Sequence, residues 1–208
     1  MKRREKKQIV ILPGEPNDAN REYLPEAIRG SDMVVNENGN NSQVYPARLK
    51  EYRGCLADGL EDVWYEYVPS TYRPDQKTPL VVSMHGGLMT GWGQAVYTSW
   101  TLVAEREGFI VVFPNAHANR MWMIECDPEK MDLMIRGMPG VPPLNPPVGS
   151  VEEYHDVKAV AALIALMQEK YRIDEGRIFM QGMSMGNAMT SQFARYLGHL
   201  LAGAAGSG

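Results

Sequence analysis

The sequence has 208 residues, an apolar share of 44% and a formal net charge of −4. This length suits one domain, and the apolar share is sufficient for a packed core, so a disordered or fibrous protein is excluded. The acidic balance gives the whole chain no attraction for nucleic acid, although the first seven residues, MKRREKK, are locally basic.

Residues 1–45 are polar and rich in Asn, Gly and Pro, without a sustained hydrophobic period. We predict an N-terminal extension here and the N-terminal portion of an α/β domain over residues 46–208. The apolar run Ile9–Leu12 is too short for the core of a signal peptide, and no long apolar stretch follows. The sequence therefore predicts a cytoplasmic protein with neither a membrane nor a nucleic-acid partner, a role of the basic tail in nucleic-acid binding being a distant alternative.

Two kinds of strand are predicted in the first half of the domain. VWYEYV at residues 63–68 is aromatic and β-branched, which favours a strand, and we expect it to pair antiparallel with residues 49–56. The runs LVVSM at 80–84 and FIVVF at 109–113 are nearly continuous in apolar residues, as is typical of parallel strands covered on both faces. Between these two runs, residues 100–107 predict a helix.

A second unit repeats this alternation of helix and strand. Asp156 is predicted to cap a helix whose core-facing side chains recur at helical spacing: Val157, Val160, Ala161, Ile164, Met167 and Tyr171. A strand over 177–181, a helix ending near Leu197 and a further strand beginning in LLAGAA follow. Strands that alternate with helices predict a mostly parallel sheet flanked by helices.

A 42-residue connection from Pro114 to His155 interrupts this layout, where a few residues are usual. Its stretch GMPGVPPLNPPVG is predicted to form neither helix nor central strand, because its prolines supply no amide donors. Long loops at the carboxyl end of a strand form lids or binding walls, or else surface insertions. The sequence leaves these alternatives open.

Residues 182–186, GMSMG, fit the pattern G-x-S-x-G. Serine hydrolases use this spacing because their serine occupies a strained turn between a strand and a helix, where larger flanking residues would collide with the backbone. Such a turn exposes the Oγ atom of Ser184 and directs the amide of Met185 at a developing oxyanion. We predict that Ser184 is a nucleophile, a structural Gly–Ser turn being the alternative.

The motif HGG after the first buried strand is the second candidate for catalytic machinery. In hydrolases with this elbow, backbone amides in this loop complete the oxyanion hole, so the amide of Gly87 or Leu88 is the predicted second donor. His85 is expected to hold the loop through its ring nitrogens, with a role as base as the less favoured alternative. His85, Trp92 and Trp122 are candidates for the substrate pocket, because they lie on or beside loops expected to roof the serine.

No cofactor and no metal ion is predicted. The two cysteines, Cys55 and Cys126, lack ligand spacing. His117 and His155 flank the long connection and are expected to be solvated or to cap helices. His199 is predicted to lie at the far end of the helix that follows the serine, too distant to act as its base.

The stretches TPLVVSMHGG, AEREGFIVVFPNA and DVKAVAALIALMQEKYRIDEGRIFMQGMSMG together resemble the polyhydroxybutyrate depolymerase and feruloyl esterase branch of the α/β-hydrolase fold, over about residues 55–205. The resemblance implies a secreted or intracellular serine esterase without a metal, which acts through an acyl-enzyme on Ser184 with Met185 and Leu88 as oxyanion donors. The sequence departs from the family pattern at Met185, where a small residue or Asn is typical, and at Gly87, where Cys is frequent.

After Ser184 the sequence contains no Asp or Glu and one His, His199. In this fold the acid and the histidine of the triad follow the serine, each after a later strand. We therefore expect a fold that is incomplete at its C-terminal side and inactive alone, with a C-terminal portion or a second chain supplying both groups. The predicted reaction is hydrolysis of a small carboxylic ester, an aryl ester slightly ahead of a short-chain polyester; the alternatives are a non-catalytic scaffold, a peptidase and an acyltransferase.

Overall fold

The computed structural model describes residues 48–98, 100–117, 120–127, 129–130, 132, 136 and 149–208, together with the backbone of two short strands. These two strands, β1 (Ile9–Val10) and β2 (Val34–Val35), pair antiparallel. The rest of the predicted extension over residues 1–45, and the proline-rich part of the long connection, lie outside the described residues.

The described residues contain one six-stranded mixed sheet. Its strands are β3 (Leu49–Cys55), β4 (Glu61–Tyr67), β5 (Thr78–Met84), β6 (Ile110–Pro114), β7 (Ile173–Met183) and β8 (Gly203–Ser207). They lie in the order β3-β4-β6-β5-β7-β8. The strand β4 is antiparallel to both of its neighbours, whereas β6, β5, β7 and β8 are mutually parallel. The predicted α/β fold with an antiparallel edge is confirmed.

Helices cover both faces of this sheet. They are α1 (Gly91–Tyr97), α2 (Trp100–Glu107), α3 (His155–Lys170) and α4 (Met185–Leu197) in the described part of the chain. Because successive strand residues point to opposite faces, Val81 and Val111 pack with α1, whereas Leu80 and Val82 pack with α3 and α4. No described helix is long and apolar enough to cross a bilayer.

Three elements differ from the sequence-based expectation. The helix α1 was not predicted; it begins after Thr90, whose hydroxyl accepts the N–H of Gly93. Strand β7 begins at Ile173, earlier than predicted, because Ile173 pairs with Thr78 of β5. Asp156 does not cap α3, since Tyr154 occupies the N-cap position and Asp156 lies in the first turn.

The two predicted motifs meet at one edge of the sheet. Met84 at the end of β5 is in register with Gly182 near the end of β7. The chain leaves β5 toward β6 on one side, and later returns to β7 on the other side. Such a reversal of strand order opens a crevice at the carboxyl ends of the strands, where α/β proteins bind their ligands.

Candidate active site

Ser184 lies in a strained turn between β7 and α4. Its backbone angles are φ 53° and ψ −119°, a region that non-glycine residues rarely occupy and that costs about 1–3 kcal/mol. The residue is exposed, and its N–H donates to the carbonyl oxygen of Ser207 at 2.7 Å. The end of β8 therefore supports the turn from the side.

The flanking glycines permit the tight packing of this turn. A Cβ atom on Gly182 would lie 2.0 Å from the carbonyl oxygen of Gly186, and one on Gly186 would lie 2.3 Å from the carbonyl oxygen of Met84. Both contacts are with backbone, which cannot move aside as a flexible side chain can. Glycine at both positions thus lets α4 start directly against β5 and β7.

The side chain of Ser184 does not cap the helix that it precedes. Serine at an N-cap position commonly accepts a hydrogen bond from the first turn, yet Ser184 makes no such side-chain bond. Met185 is the first residue of α4, and its N–H has no acceptor within the helix, at the positive end of the helix dipole. The turn thus combines an exposed hydroxyl with an amide suited to bind an anion.

The loop after β5 approaches this turn closely. A Cβ atom on Gly87 would lie 3.5 Å from the Sδ atom of Met185. The N–H of Leu88 donates to the carbonyl oxygen of Arg120 at 2.8 Å. The Leu88 amide is therefore engaged in holding the loop, which leaves Gly87 as the better candidate of the two predicted donors.

His85 is buried beneath the loop and holds it from within. Its Nδ1 atom lies 2.7 Å from the carbonyl oxygen of Gly86, and its Nε2 atom accepts the N–H of Ala116 at 2.9 Å. Burial lowers the pKa of His85 to about 4. The ring is therefore neutral, with the proton on Nδ1, and neither nitrogen is free to serve as a base or to meet a substrate.

The prediction that His85, Trp92 and Trp122 line the substrate pocket is wrong, because all three side chains are buried inside the protein. Trp122 is 0% exposed and His85 also 0%; the Trp122 Nε1–H donates to the carbonyl oxygen of His85 at 2.7 Å. Trp92 is 2% exposed and packs in the core on the opposite face of the sheet, with Tyr65 and Phe113. These aromatic residues shape the loop from behind instead of lining a cavity.

Methionine side chains, and not the predicted Trp92 and Trp122, surround the serine turn and the loop after β5. Partly exposed methionine side chains contact the positions of Gly86 and Gly87 or flank the serine: Met89, Met121, Met183 and Met185. The local sequence patterns did not reveal this cluster, although 14 methionines in 208 residues were a signal. Methionine provides an apolar and adaptable surface.

The described part of the long connection is held against α3 and α4. The carboxylate of Asp156 accepts the N–H groups of His117 at 3.0 Å and of Met123 at 2.8 Å. The side-chain oxygen of Gln192 accepts the N–H of Glu125, and its Nε2 donates to the carbonyl oxygen of Met123 at 3.0 Å. Residues 120–127 therefore form a fixed wall beside the candidate site.

His117 is exposed, as expected, and His155 is partly buried, but the two rings come together, which the expectation of solvated or capping residues did not include. Their ring centroids are 4.4 Å apart, and both rings approach the buried carboxylate of Asp62. Burial lowers the pKa of His155, but hydrogen bonds to Asp62 and Asp58 outweigh this effect and leave its pKa above the ordinary value. This cluster holds the two ends of the long connection together.

None of the four histidines, all of which lie in the described part, hydrogen-bonds to Ser184. His85 is engaged in the loop, and His117 and His155 are engaged with Asp62. His199 follows α4, whose 13 residues span about 20 Å. The described residues thus provide the serine and the amides, but no imidazole in contact with them.

No protein-family model matches the sequence. The sequence is 28% identical over 124 residues to a bifunctional acetylxylan esterase/xylanase of Neocallimastix patriciarum, covering 60% of this chain and 14% of that protein. It is 27% identical over 154 residues to feruloyl esterase B of Thermothelomyces thermophilus, covering 67% of this chain and 45% of the relative. This chain therefore spans less than half the length of these relatives.

Solved structures share the fold. An acetyl xylan esterase from Aspergillus awamori matches with a TM-score of 0.53 and 20% identity, over 74% of this chain and 50% of that one. A thermostable esterase matches with a TM-score of 0.55 and 23% identity, over 76% of this chain and 40% of the other.

The sheet order, the strained serine turn and these structural matches define a protein of the α/β-hydrolase fold. Within that fold the sequence is similar to a feruloyl esterase and to an acetylxylan esterase/xylanase, in agreement with the resemblance that the residue patterns indicated. The polyhydroxybutyrate depolymerase part of the predicted resemblance stays a prediction.

Proposed function

We propose that this chain carries the nucleophile and the oxyanion hole of a serine esterase. The observation that carries the proposal is the conformation of Ser184, a strained and exposed serine whose hydroxyl does not cap its own helix. Strain of this kind is retained where the surrounding structure holds a functional group in position. The esterases similar in sequence support the same chemistry.

In the proposed reaction, Oγ of Ser184 attacks the ester carbonyl carbon and passes its proton to a histidine. The N–H groups of Met185 and Gly87 stabilise the oxyanion of the tetrahedral intermediate. The C–O bond to the alcohol then breaks, the histidine returns the proton to the leaving alcohol, and the acyl group stays on Ser184. Water activated by the same histidine cleaves this acyl-enzyme and frees the carboxylic acid.

The histidine and its acid partner come from polypeptide beyond these 208 residues, in a C-terminal portion or a second chain. The contacts of the four histidines of this chain support this proposal, because none of them bonds to Ser184. Without a base the serine hydroxyl is a weak nucleophile at neutral pH. The chain by itself is accordingly proposed to be inactive, and its proposed location is the cytoplasm.

The proposed substrate is a small ester with an aromatic acyl group such as a hydroxycinnamate. The partly exposed methionines around Gly86 and Gly87 offer an apolar surface that adapts to a flat ring. One relative is a feruloyl esterase and another an acetylxylan esterase. Measurement of kcat/KM for methyl ferulate and for a simple acetate ester distinguishes an aromatic from an acetyl substrate. The proposal requires the higher value for methyl ferulate.

Fluorophosphonate labelling of the complete protein, including the polypeptide that supplies the base, tests the proposal. We expect the probe to modify Ser184, and Ser184→Ala to abolish both labelling and ester hydrolysis. Ser207→Ala is the matched control, because Ser207 is an exposed neighbour that supports the turn only through its backbone carbonyl. A complete protein that is not labelled would establish the non-catalytic scaffold instead.

The same elbow serves peptidases and acyltransferases, and two further assays separate them. Hydrolysis of an amide analogue at a rate comparable with the ester would indicate a peptidase. Transfer of the acyl group to an added alcohol in preference to water would indicate an acyltransferase. We expect hydrolysis of the ester to dominate in both comparisons.

A further inference from the structure

A cluster of two histidines and one aspartate lies at the same edge of the sheet as Ser184, and it is separate from the serine turn and from the proposed oxyanion donors. Asp62 is at the start of β4, His117 follows β6, and His155 begins α3. Each residue offers one ligand atom, and the three atoms lie within 4.8 Å of one another. We propose that Asp62, His117 and His155 bind a divalent transition-metal ion of the zinc type.

The distances suit such an ion. The Nε2 atom of His155 lies 2.8 Å from Oδ1 of Asp62, and Nδ1 of His117 lies 3.5 Å from the same oxygen. Metal–ligand bonds of about 2.0–2.1 Å in a tetrahedral site separate the ligand atoms by about 3.3 Å. Small side-chain movements therefore bring all three atoms to bonding distance, and His117, which is the most exposed of the three, has room to move.

A carboxylate behind the cluster orients one of the ligands. The Nδ1 atom of His155 lies 3.0 Å from Oδ2 of Asp58, and Lys158 pairs with the other oxygen of that carboxylate. Histidines that bind metals usually donate their second ring N–H to a carboxylate, which fixes the tautomer with the lone pair facing the metal. Asp58 is thus a positioning residue that presents Nε2 of His155 toward Asp62.

The backbone around the second histidine is fixed as well. The N–H of His117 donates to Asp156, which is buried in the first turn of α3. This bond holds the end of β6 and the start of α3 together before any ion binds. Such preorganisation lowers the ordering cost of forming a site from residues distant in sequence.

The donor set selects the class of ion. Two imidazole nitrogens and one carboxylate oxygen favour zinc and similar transition metals, whereas calcium and magnesium prefer oxygen ligands alone. Three protein ligands leave a fourth position for a solvent oxygen. The ion would join the two ends of the long connection, since His117 precedes residues 118–154 and His155 follows them.

Calorimetric titration of the full chain with Zn²⁺ tests the proposal. We expect one ion per chain, and a loss of affinity of about tenfold or more in His117→Gln and in Asp62→Asn. His199→Gln is the matched control, because His199 is exposed and lies after α4; it should bind Zn²⁺ as the unmodified chain does. Absence of Zn²⁺ binding, or equal binding by His117→Gln, would overturn the proposal.

Two further measurements guard against a variant that simply misfolds. Co²⁺ should give the intense visible absorption of a tetrahedral site in the unmodified chain and in Ser184→Ala, but not in His117→Gln with an unchanged circular dichroism spectrum. Trypsin cleavage after Lys130 and Arg136 should slow on addition of Zn²⁺ in the unmodified chain, and not in His117→Gln. Retention of the Co²⁺ absorption by His117→Gln would place the ion elsewhere.

Discussion

Single residues set the candidate site through their backbone conformation and their hydrogen bonds. Ser184 is exposed in a strained backbone conformation. Gly182 and Gly186, two positions away on either side, allow the turn to pack tightly, because a Cβ atom at either position would collide with backbone. His85 contributes without touching the reacting atoms, since its neutral ring joins Gly86 to Ala116. The geometry of the proposed oxyanion hole therefore depends on a buried imidazole.

The buried ring of His85 predicts that stability falls as the pH falls. The unfolded chain protonates this ring near pH 6.5, whereas the folded chain does so only near pH 4. Between these two pH values the unfolded state binds more protons than the folded state. The neutral ring therefore makes its full contribution to the free energy of unfolding above about pH 6.5. This contribution, about 3 kcal/mol in total, is lost as the pH falls toward 4.

Urea unfolding across this pH range checks the prediction. The free energy of unfolding of His85→Asn should depend less on pH between about 4 and 6.5 than that of the unmodified chain. His199→Asn, which changes an exposed ring, should keep the unmodified dependence. Identical pH profiles for His85→Asn and the unmodified chain would show that the ring titrates normally.

At the scale of elements, the long connection is fixed to the helices by side chains that supply hydrogen bonds to its backbone. Gln192 on α4 bonds to Glu125 and Met123, and Asp156 on α3 bonds to Met123 and His117. Irregular segments cannot pair their own amides as helices and strands do, so buried parts of them need such partners. Residues 120–127 are thereby placed beside the loop after β5.

We predict that Gln192→Ala destabilises the protein by about 1–3 kcal/mol, because two backbone groups of the connection lose their buried partner. Gln168→Ala on the exposed face of α3 is the control and should change the free energy of unfolding by less than about 0.5 kcal/mol. Urea unfolding of both variants measures the difference. Equal effects of the two substitutions would mean that Gln192 does not anchor the connection.

For the whole molecule, as far as the structure describes it, the central sheet separates two apolar cores. One contains α3 and α4 side chains such as Val160, and the other contains α1 side chains such as Val96. The two groups lie on opposite faces because adjacent strand residues point in opposite directions. Packing on both faces thus fixes the sheet, and with it the end of β7 from which the serine turn begins.

The two cores should respond independently to substitution. Val96→Ala and Val160→Ala should each cost about 2 kcal/mol. Because the sites are separated by the thickness of the sheet, the double variant should equal the sum of the single ones within about 0.5 kcal/mol. A coupling energy above about 1 kcal/mol, measured by urea unfolding of all three variants, would contradict this separation.

Local sequence patterns determined the strands, most helices and the serine turn. The predicted helix over residues 100–107 agrees with α2, and the apolar runs at 80–84 and 109–113 lie within or overlap β5 and β6. Such patterns succeed because burial on both faces, helical periodicity and the need for glycine beside Ser184 act over a few neighbouring residues. The mostly parallel α/β sheet followed from their order along the chain, whereas the α/β-hydrolase fold was implied by the family resemblance.

Only the tertiary structure decided which distant residues meet. In the folded chain Trp92 and Trp122 are buried, and the amide of Leu88 donates to Arg120. Asp156 does not cap its helix but accepts a hydrogen bond from the long connection. His117 and His155 lie next to Asp62. These outcomes depend on strand order and on contacts between residues far apart in sequence. A local pattern contains no information about such partners, because the chain must first fold for them to face each other.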